Sequence, residues 1–420
     1  MKRLSLLFLL AGLLSAHPLV AADWPMFRGP NLNGVADQGT APTIWSEDEN
    51  VLWKANLPSA GNGSPIVSQG HVYITAFNDS SGKERSLLCF DEKTGQQLWS
   101  RTVEIDREMP THKTNPHAPT TPAADQKNVV VWHGSAGIHC YDHNGKTQWS
   151  HDLGEYRHMW GYGSSPIIVR DKVLLHTGPG SKVFVIAFDL KTEEEIWRVE
   201  EPQQGTGERN DTGEYMGSWS TPVLIEENGH TTAVVVHSTR VVSYNIETGS
   251  ILWFCEGVGH DRGDLAYSSP VIHNQICFLT GGFQGPALAI KLGGSGDVTA
   301  THLLWREERQ PQSIGSGVCV DGYIYRPNAG PGTLECIDIN TGESRWKDRA
   351  AGTQWSSVIM ANNLLYATSQ DARTTIFKPN SNEFELVTQN QLPGHTNATP
   401  AIANGRLFIR TNDALWCVGN

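Results

Sequence analysis

The spacing of the tryptophans constrains this chain more than any other feature. Trp53, Trp99, Trp149, Trp197, Trp253, Trp305 and Trp346 recur at steps of 46, 50, 48, 56, 52 and 41 residues. Most close one phrase: Asp91-Glu-Lys-Thr-Gly-Gln-Gln-Leu-Trp99 returns as Asp189–Trp197, Asn245–Trp253 and Asp338–Trp346, with a shorter copy at Asp142–Trp149. A longer copy, Lys291–Trp305, carries the insertion Gly293-Gly-Ser-Gly-Asp297, which reads as an elongated hairpin. A second signature opens each unit: Ser64-Pro, Thr121-Pro, Ser165-Pro, Thr221-Pro, Ser269-Pro and Thr399-Pro, with Pro-less copies at Ser316-Gly and Ser356-Ser357. That makes eight openings.

Between these marks lie short alternating runs such as His71–Thr75 and Arg406–Arg410, separated by Gly or Asn turns. Four short strands per ~40–50 residues is the pattern of a β-propeller blade. The Thr-Gly step suits a hairpin with positive φ at Gly, capped by the preceding Asp. Each Trp is then placed to pack across the seam between blades. The last unit offers three strands after Thr399, and the missing outer one is found at Asn50–Leu57, whose Leu-Trp matches the other outer strands. The expected fold is therefore all-β: an eight-bladed propeller closed by an N-terminal strand that completes the C-terminal blade.

The first 22 residues read as a cleaved signal peptide, with Lys2 and Arg3, an apolar run from Leu4 to Leu14, and Val20-Ala21-Ala22 before the cut. The apolar run is about half the ~20 residues that span a bilayer. Residues 23–420 are expected to form a single propeller domain, periplasmic or secreted, without a lipid-anchoring Cys at the cut and without a membrane span. The seven Cys are expected to be free thiols, because Cys89, Cys140, Cys336 and Cys417 fill equivalent slots in separate blades. The net charge of −12 and the lack of a Lys/Arg-rich run exclude nucleic acid as a partner.

The Asp-x-x-Thr-Gly-x-x-Leu-Trp repeat with its Ser-Ser-Pro openings resembles the pyrroloquinoline-quinone-like, or quinoprotein-type, propeller repeat, in a bacterial exported branch. The resemblance covers nearly all of residues 23–420. It implies the fold strongly and the chemistry weakly, since one fold hosts many functions. Quinoprotein dehydrogenases in that superfamily hold quinone and Ca²⁺ at the funnel mouth. Here no adjacent Cys pair is present and no motif places the Ca²⁺ ligands or the catalytic base.

In a propeller the residues just before each inner strand frame one mouth. Counting back from the openings puts Asn62, Asn115, His117, Trp160, Tyr162, Trp219, Tyr267, Ser313, Trp355 and Asn397 on that rim, with Glu214, Asp261, Arg262 and Asp264 nearby. Such aromatics can form a platform for a planar ligand or sugar face, or simply plug the channel. His112 and His117 are the nearest approach to a metal pair, but two His without a third ligand do not make a site. No catalytic residue can be assigned. The leading expectation is a non-catalytic, monomeric propeller that binds a partner protein, a small ligand or a glycan at the mouth and needs no cofactor. The alternatives are an oxidoreductase using the quinone with calcium on an alcohol or sugar, and a carbohydrate-binding or carbohydrate-cleaving propeller.

Overall fold

The computed structural model describes residues 23–36, 40–107, 109–227, 229–311 and 313–419; the expected signal peptide lies outside them. No helix among the described residues is long and apolar enough to cross a membrane. Eight antiparallel sheets follow one another as propeller blades whose inner strands begin at Ile66, Ala123, Ile167, Val223, Val271, Val318, Ile359 and Ala401. Blade 1 shows the common plan: Ile66–Ser68, His71–Phe77, Glu84–Asp91 and Gln97–Glu104 pair in order from axis to rim. Its two middle strands are buried almost throughout, and the outer strand is half exposed.

The ring closes as the sequence predicts. Blade 8 has Ala401–Ala403, Arg406–Arg410 and Ala414–Val418, and its outermost strand is Val51–Asn56, which pairs Trp53 with Cys417 and Asn56 with Ala414. The pairing covers the edge that Ala414–Val418 would otherwise leave bare, which is the hazard of an open β-array.

The repeat tryptophans tie six of the eight blades to the next. The indole N–H of Trp53 donates to the Glu92 carbonyl, Trp99 to His143, Trp149 to Leu190, Trp197 to Ile246, Trp305 to Ile339 and Trp346 to Asn380, at 2.8–3.0 Å. Every acceptor lies at or just after the hairpin turn of the following blade. The Thr-Gly turn is needed twice over: Gly95 sits at φ +69, and a Cβ there would lie 2.5 Å from the Trp53 ring. Asp91 caps that turn through Oδ1, accepting from the Lys93 and Thr94 amides. These bonds hold its carboxyl below the usual carboxylate range, the Thr94 hydroxyl foremost.

Trp253 breaks the rule for a visible reason. The insertion after Lys291 does not stay in its own hairpin; Gly296–Asp297 crosses back and adds a parallel fifth strand outside blade 4, beside Trp253 and Phe254. Covered in this way, Trp253 is fully buried and its N–H turns to the Glu227 carboxylate.

Around the axis runs a second closure. The backbone N–H of each opening Ser or Thr donates to the side-chain oxygen of its counterpart in the next blade. The sequence is Ser64 to Thr121, Ser165, Thr221, Ser269, Ser316, Ser357, Thr399 and back to Ser64, at 2.9–3.2 Å. Eight bonds form an unbroken belt, each of a kind worth ~0.5–1.5 kcal/mol. Such contact needs close approach of neighbouring inner strands: a Cβ on Gly315 would sit 2.0 Å from the Ser356 carbonyl.

Residues 24–36 cross the channel beyond this belt. Trp24 pairs with Val67 of blade 1, the Pro25 carbonyl accepts from Ala124 of blade 2, and Gly34 and Ala36 bond Met360 of blade 7. Met26 and Leu32 join the core shared by blades 2 to 5. The chain then reaches the perimeter, where Trp45 and Thr43 are held by the Asn390 amide, before entering Val51–Asn56.

Candidate functional site

A cavity of about 520 Å³ opens on the axis above the belt, and all eight belt residues line it. Its size falls in the ~300–1,000 Å³ range of small-molecule pockets. The walls differ in chemistry from one side to the other.

Blades 3 to 5 supply an aromatic arc. Tyr215 lies 4.6 Å from Trp160 between ring centroids, Trp160 lies 6.0 Å from Trp219, and Trp219 lies 5.5 Å from Tyr267. All four line the cavity. The arc is held in place by a small parallel ladder, Met216–Ser218 with Asp264–Ala266, which joins the entries to blades 4 and 5. The Trp219 amide extends that ladder to the Ala266 carbonyl, while its indole N–H reaches the Gly161 carbonyl. His158 backs the arc edge-on to Trp219 at 5.0 Å, and burial holds its imidazole below the usual histidine range. Phe283 and Trp355 extend the apolar lining, and Phe27, from the crossing segment, also lines the cavity.

Blades 8, 1 and 2 supply amides. Asn62 Nδ2 donates to the Thr114 carbonyl and to Asn115 Oδ1; Asn115 Nδ2 donates to the carbonyls of Trp160 and Tyr162. Asn397 donates to Thr114 as well, and its oxygen accepts from Gln370. The loop carrying Thr114 is thus pinned from blades 1 and 8 at once. Charge in the lining comes from Arg262, which bonds Gln284, and no Asp or Glu lines the cavity among the described residues.

Of the residues expected at the rim, Asn62, Asn115, Trp160, Trp219, Tyr267, Trp355, Asn397 and Arg262 line this one cavity. His117 and Tyr162 lie behind its wall. Both are buried around Arg85, whose Nη1 donates to the Tyr162 hydroxyl at 2.8 Å and whose Nη2 meets His117 Nδ1 at 3.2 Å. Burial, with the guanidinium adding to it, pulls the His117 imidazole down to about 4. Ser313 is buried too, its hydroxyl donating to the carbonyls of Gly315 and Pro327. Glu214 and Asp264 stand outside the lining, Asp264 accepting from Asn210. His112 lines the cavity and faces Thr114 Oγ1 at 2.7 Å; no group of three or more metal-ligating side chains occurs among the described residues. Tyr215 and Phe27 escaped the reading because neither precedes an opening signature.

A calcium-held quinone finds no matching donor set here. Calcium takes 6–8 oxygen ligands, typically with carboxylates among them. The lining offers hydroxyls, amides, rings and a guanidinium.

Fold and mouth define an eight-bladed β-propeller of the PQQ-like repeat class. The chain belongs to the family described as outer membrane protein assembly factor BamB, whose model matches residues 32–117 and 83–348. BamB from Moraxella catarrhalis superposes with a TM-score of 0.60 at 11% identity, covering 88% of this chain and 97% of that one. A quinohemoprotein alcohol dehydrogenase from Comamonas testosteroni gives a TM-score of 0.68 at 12% identity, with coverages of 95% and 81%. The computationally designed protein Ika8 gives 0.57 at 13%, with coverages of 88% and 100%. At such identities the likeness is one of fold, shared by an assembly factor, an enzyme and a design. No curated protein matches the chain by sequence.

Proposed function

We propose that this protein is an exported, non-catalytic, monomeric propeller that binds a small ligand with a flat face, such as a planar ring or a sugar, in its axial cavity. The two-sided wall carries this reading. An aromatic arc from Tyr215 to Tyr267 stands across a mouth framed by the amides of Asn62, Asn115 and Asn397. Aromatic faces take up flat apolar surface and fixed amides select its polar edge. The lining supplies neither a carboxylate base nor a carboxylate for calcium among the described residues, which favours binding over dehydrogenase chemistry. Export to the periplasm or medium rests on the first 22 residues and on the family's description as an outer membrane assembly factor.

A protein segment lying across the mouth is the second reading. It is supported by that family description and by two large apolar side chains exposed beside the rim, Met159 at 38% and Phe283 at 52%.

The test is a panel of soluble oligosaccharides and flat aromatic compounds, titrated against intrinsic tryptophan emission. A saturable change that Trp160→Ala weakens about thirtyfold or more supports the small-ligand reading. No saturable response from any compound, together with capture of unstructured peptides by the same face, would replace it with the second.

A further inference from the structure

The belt beneath the cavity has a donor side that the protein itself does not use. Each of the eight side-chain oxygens accepts one backbone N–H, yet among the described residues none passes its own O–H proton to a protein acceptor. A Ser or Thr hydroxyl is both donor and acceptor, and a buried donor is costly to leave unmatched. All eight residues are at most 4% exposed, and all line one cavity. Eight hydroxyls set around one cavity can donate to a group rich in acceptors.

The charges nearby agree in sign. Arg28, in the crossing segment, is 1% exposed and donates through Nη2 to the carbonyls of Asn33 and of Gly317, the residue after belt member Ser316. Its Nε and Nη1 have no partner. Arg410, equally buried, donates to the carbonyls of Gly63 and Ser59 beside belt member Ser64, and its Nε is unpartnered. Neither guanidinium forms an ion pair among the described residues. Two buried cations thus flank the belt, and among the described residues no carboxylate lines its cavity, in a chain of net charge −12. Burial lowers both guanidinium groups to about 9, so each stays charged at neutral pH.

We propose that the hydroxyl belt, backed by Arg28 and Arg410, receives the anionic end of the ligand, a carboxylate, sulfate or phosphate group, while its flat body lies against the aromatic arc. This rests on the small-ligand reading of the mouth and specifies the ligand's class. Hydroxyl donors and a fixed positive charge in a site with little water are the means by which proteins hold oxyanions without a metal. An overall negative protein repels anions at long range, so any preference for one must arise locally.

The experiment uses the full chain from Asp23 onward and two probes with the same ring system, 2-naphthoate and the neutral 2-naphthylmethanol, titrated by intrinsic fluorescence and calorimetry. The wild type should bind naphthoate at least about tenfold more tightly, and inorganic sulfate should displace naphthoate in competition. Removing three belt hydroxyls isosterically, by Thr121→Val, Thr221→Val and Thr399→Val together, should bring the ratio of the two affinities near one. Equal affinities in the wild type, or failure of sulfate to compete, overturn the anionic class and leave the mouth reading standing. A preference kept in the Val variant overturns the role of the belt. Binding of neither probe removes both proposals. The sulfate competition needs no substitution, so it decides the anionic class even where the Val variant fails to fold.

Discussion

The seam between the C-terminal blade and blade 1 can be tested with two substitutions. Trp53 belongs to the N-terminal strand, is 8% exposed, and donates its indole N–H to the Glu92 carbonyl at 3.0 Å. Its ring lies on Gly95, where an added Cβ would fall 2.5 Å from ring carbons at a backbone φ of +69. Trp53→Ala removes a large buried side chain and should cost ~3–5 kcal/mol. Gly95→Ala should cost ~1–3 kcal/mol for a non-glycine residue in the left-handed region. It should cost a further ~1–3 kcal/mol for overpacking against the indole. The second part disappears once the indole is gone, because the new methyl then has space. The double variant should therefore be less destabilised than the two singles together by about 1–3 kcal/mol, the size of coupling expected of residues in contact. Urea denaturation followed by far-ultraviolet circular dichroism measures all four corners of the cycle. Additivity to within ~0.5 kcal/mol would mean that the indole and the turn do not meet, and that the N-terminal strand does not close the ring as described.

Three further outcomes follow from particular residues. All seven Cys are free and six are buried, with burial pushing the Cys89 and Cys140 thiols up to about 12. A thiol reagent should therefore titrate seven groups in denaturant without reductant and almost none in the native protein; five or fewer in denaturant would reveal a disulfide. His176 and His237, fully buried with ring centroids 4.9 Å apart and with Glu201, Arg240 and Tyr244 around them, are each held down to about 3 by burial. Their folded values lie below the unfolded one, so their contribution is complete above pH ~6.5 and is lost as pH falls toward 3; each should cost ~2 kcal/mol by pH 5. Urea midpoints that are flat from pH 7 to pH 5, or an acid slope unchanged by His237→Gln, would contradict this. Trp160→Ala should weaken ligand binding by ~2 kcal/mol or more, as loss of an aromatic anchor does. Trp160 is only half-buried, so thermal stability should fall far less than for Trp53→Ala; an equal fall would make Trp160 a core residue.

The fold was legible because its main contacts recur in the sequence. Seven Trp at steps of 41–56 residues mark the seams, Thr-Gly turns recur at Thr94-Gly95, Thr248-Gly249 and Thr341-Gly342, and an opening Ser or Thr marks the inner strand of every blade. Departures occur where a segment acts outside its own blade. The insertion at Gly293–Asp297 looked like an elongated hairpin, but its strand pairs with the preceding blade, a choice that depends on inter-blade geometry. The mouth was read by counting back from each opening, which works for Trp160 and Trp219 because a shared ladder fixes how the entries to blades 4 and 5 approach the axis. The same count put His117 and Tyr162 at the rim, although Arg85 draws both into the core. Phe27 and Tyr215 reach the cavity from stretches with no repeat signature. The opening Ser and Thr were visible as punctuation, but their side-chain oxygens join into a belt only when eight blades stand in a circle.

Ligand titration of tryptophan emission decides whether the axial cavity is a binding site or a packed plug. A saturable emission change with one-to-one stoichiometry by calorimetry, in the wild type and strongly weakened in Trp160→Ala, is the result predicted. A response that never saturates, or one that Trp160→Ala leaves intact, would contradict the binding-site reading.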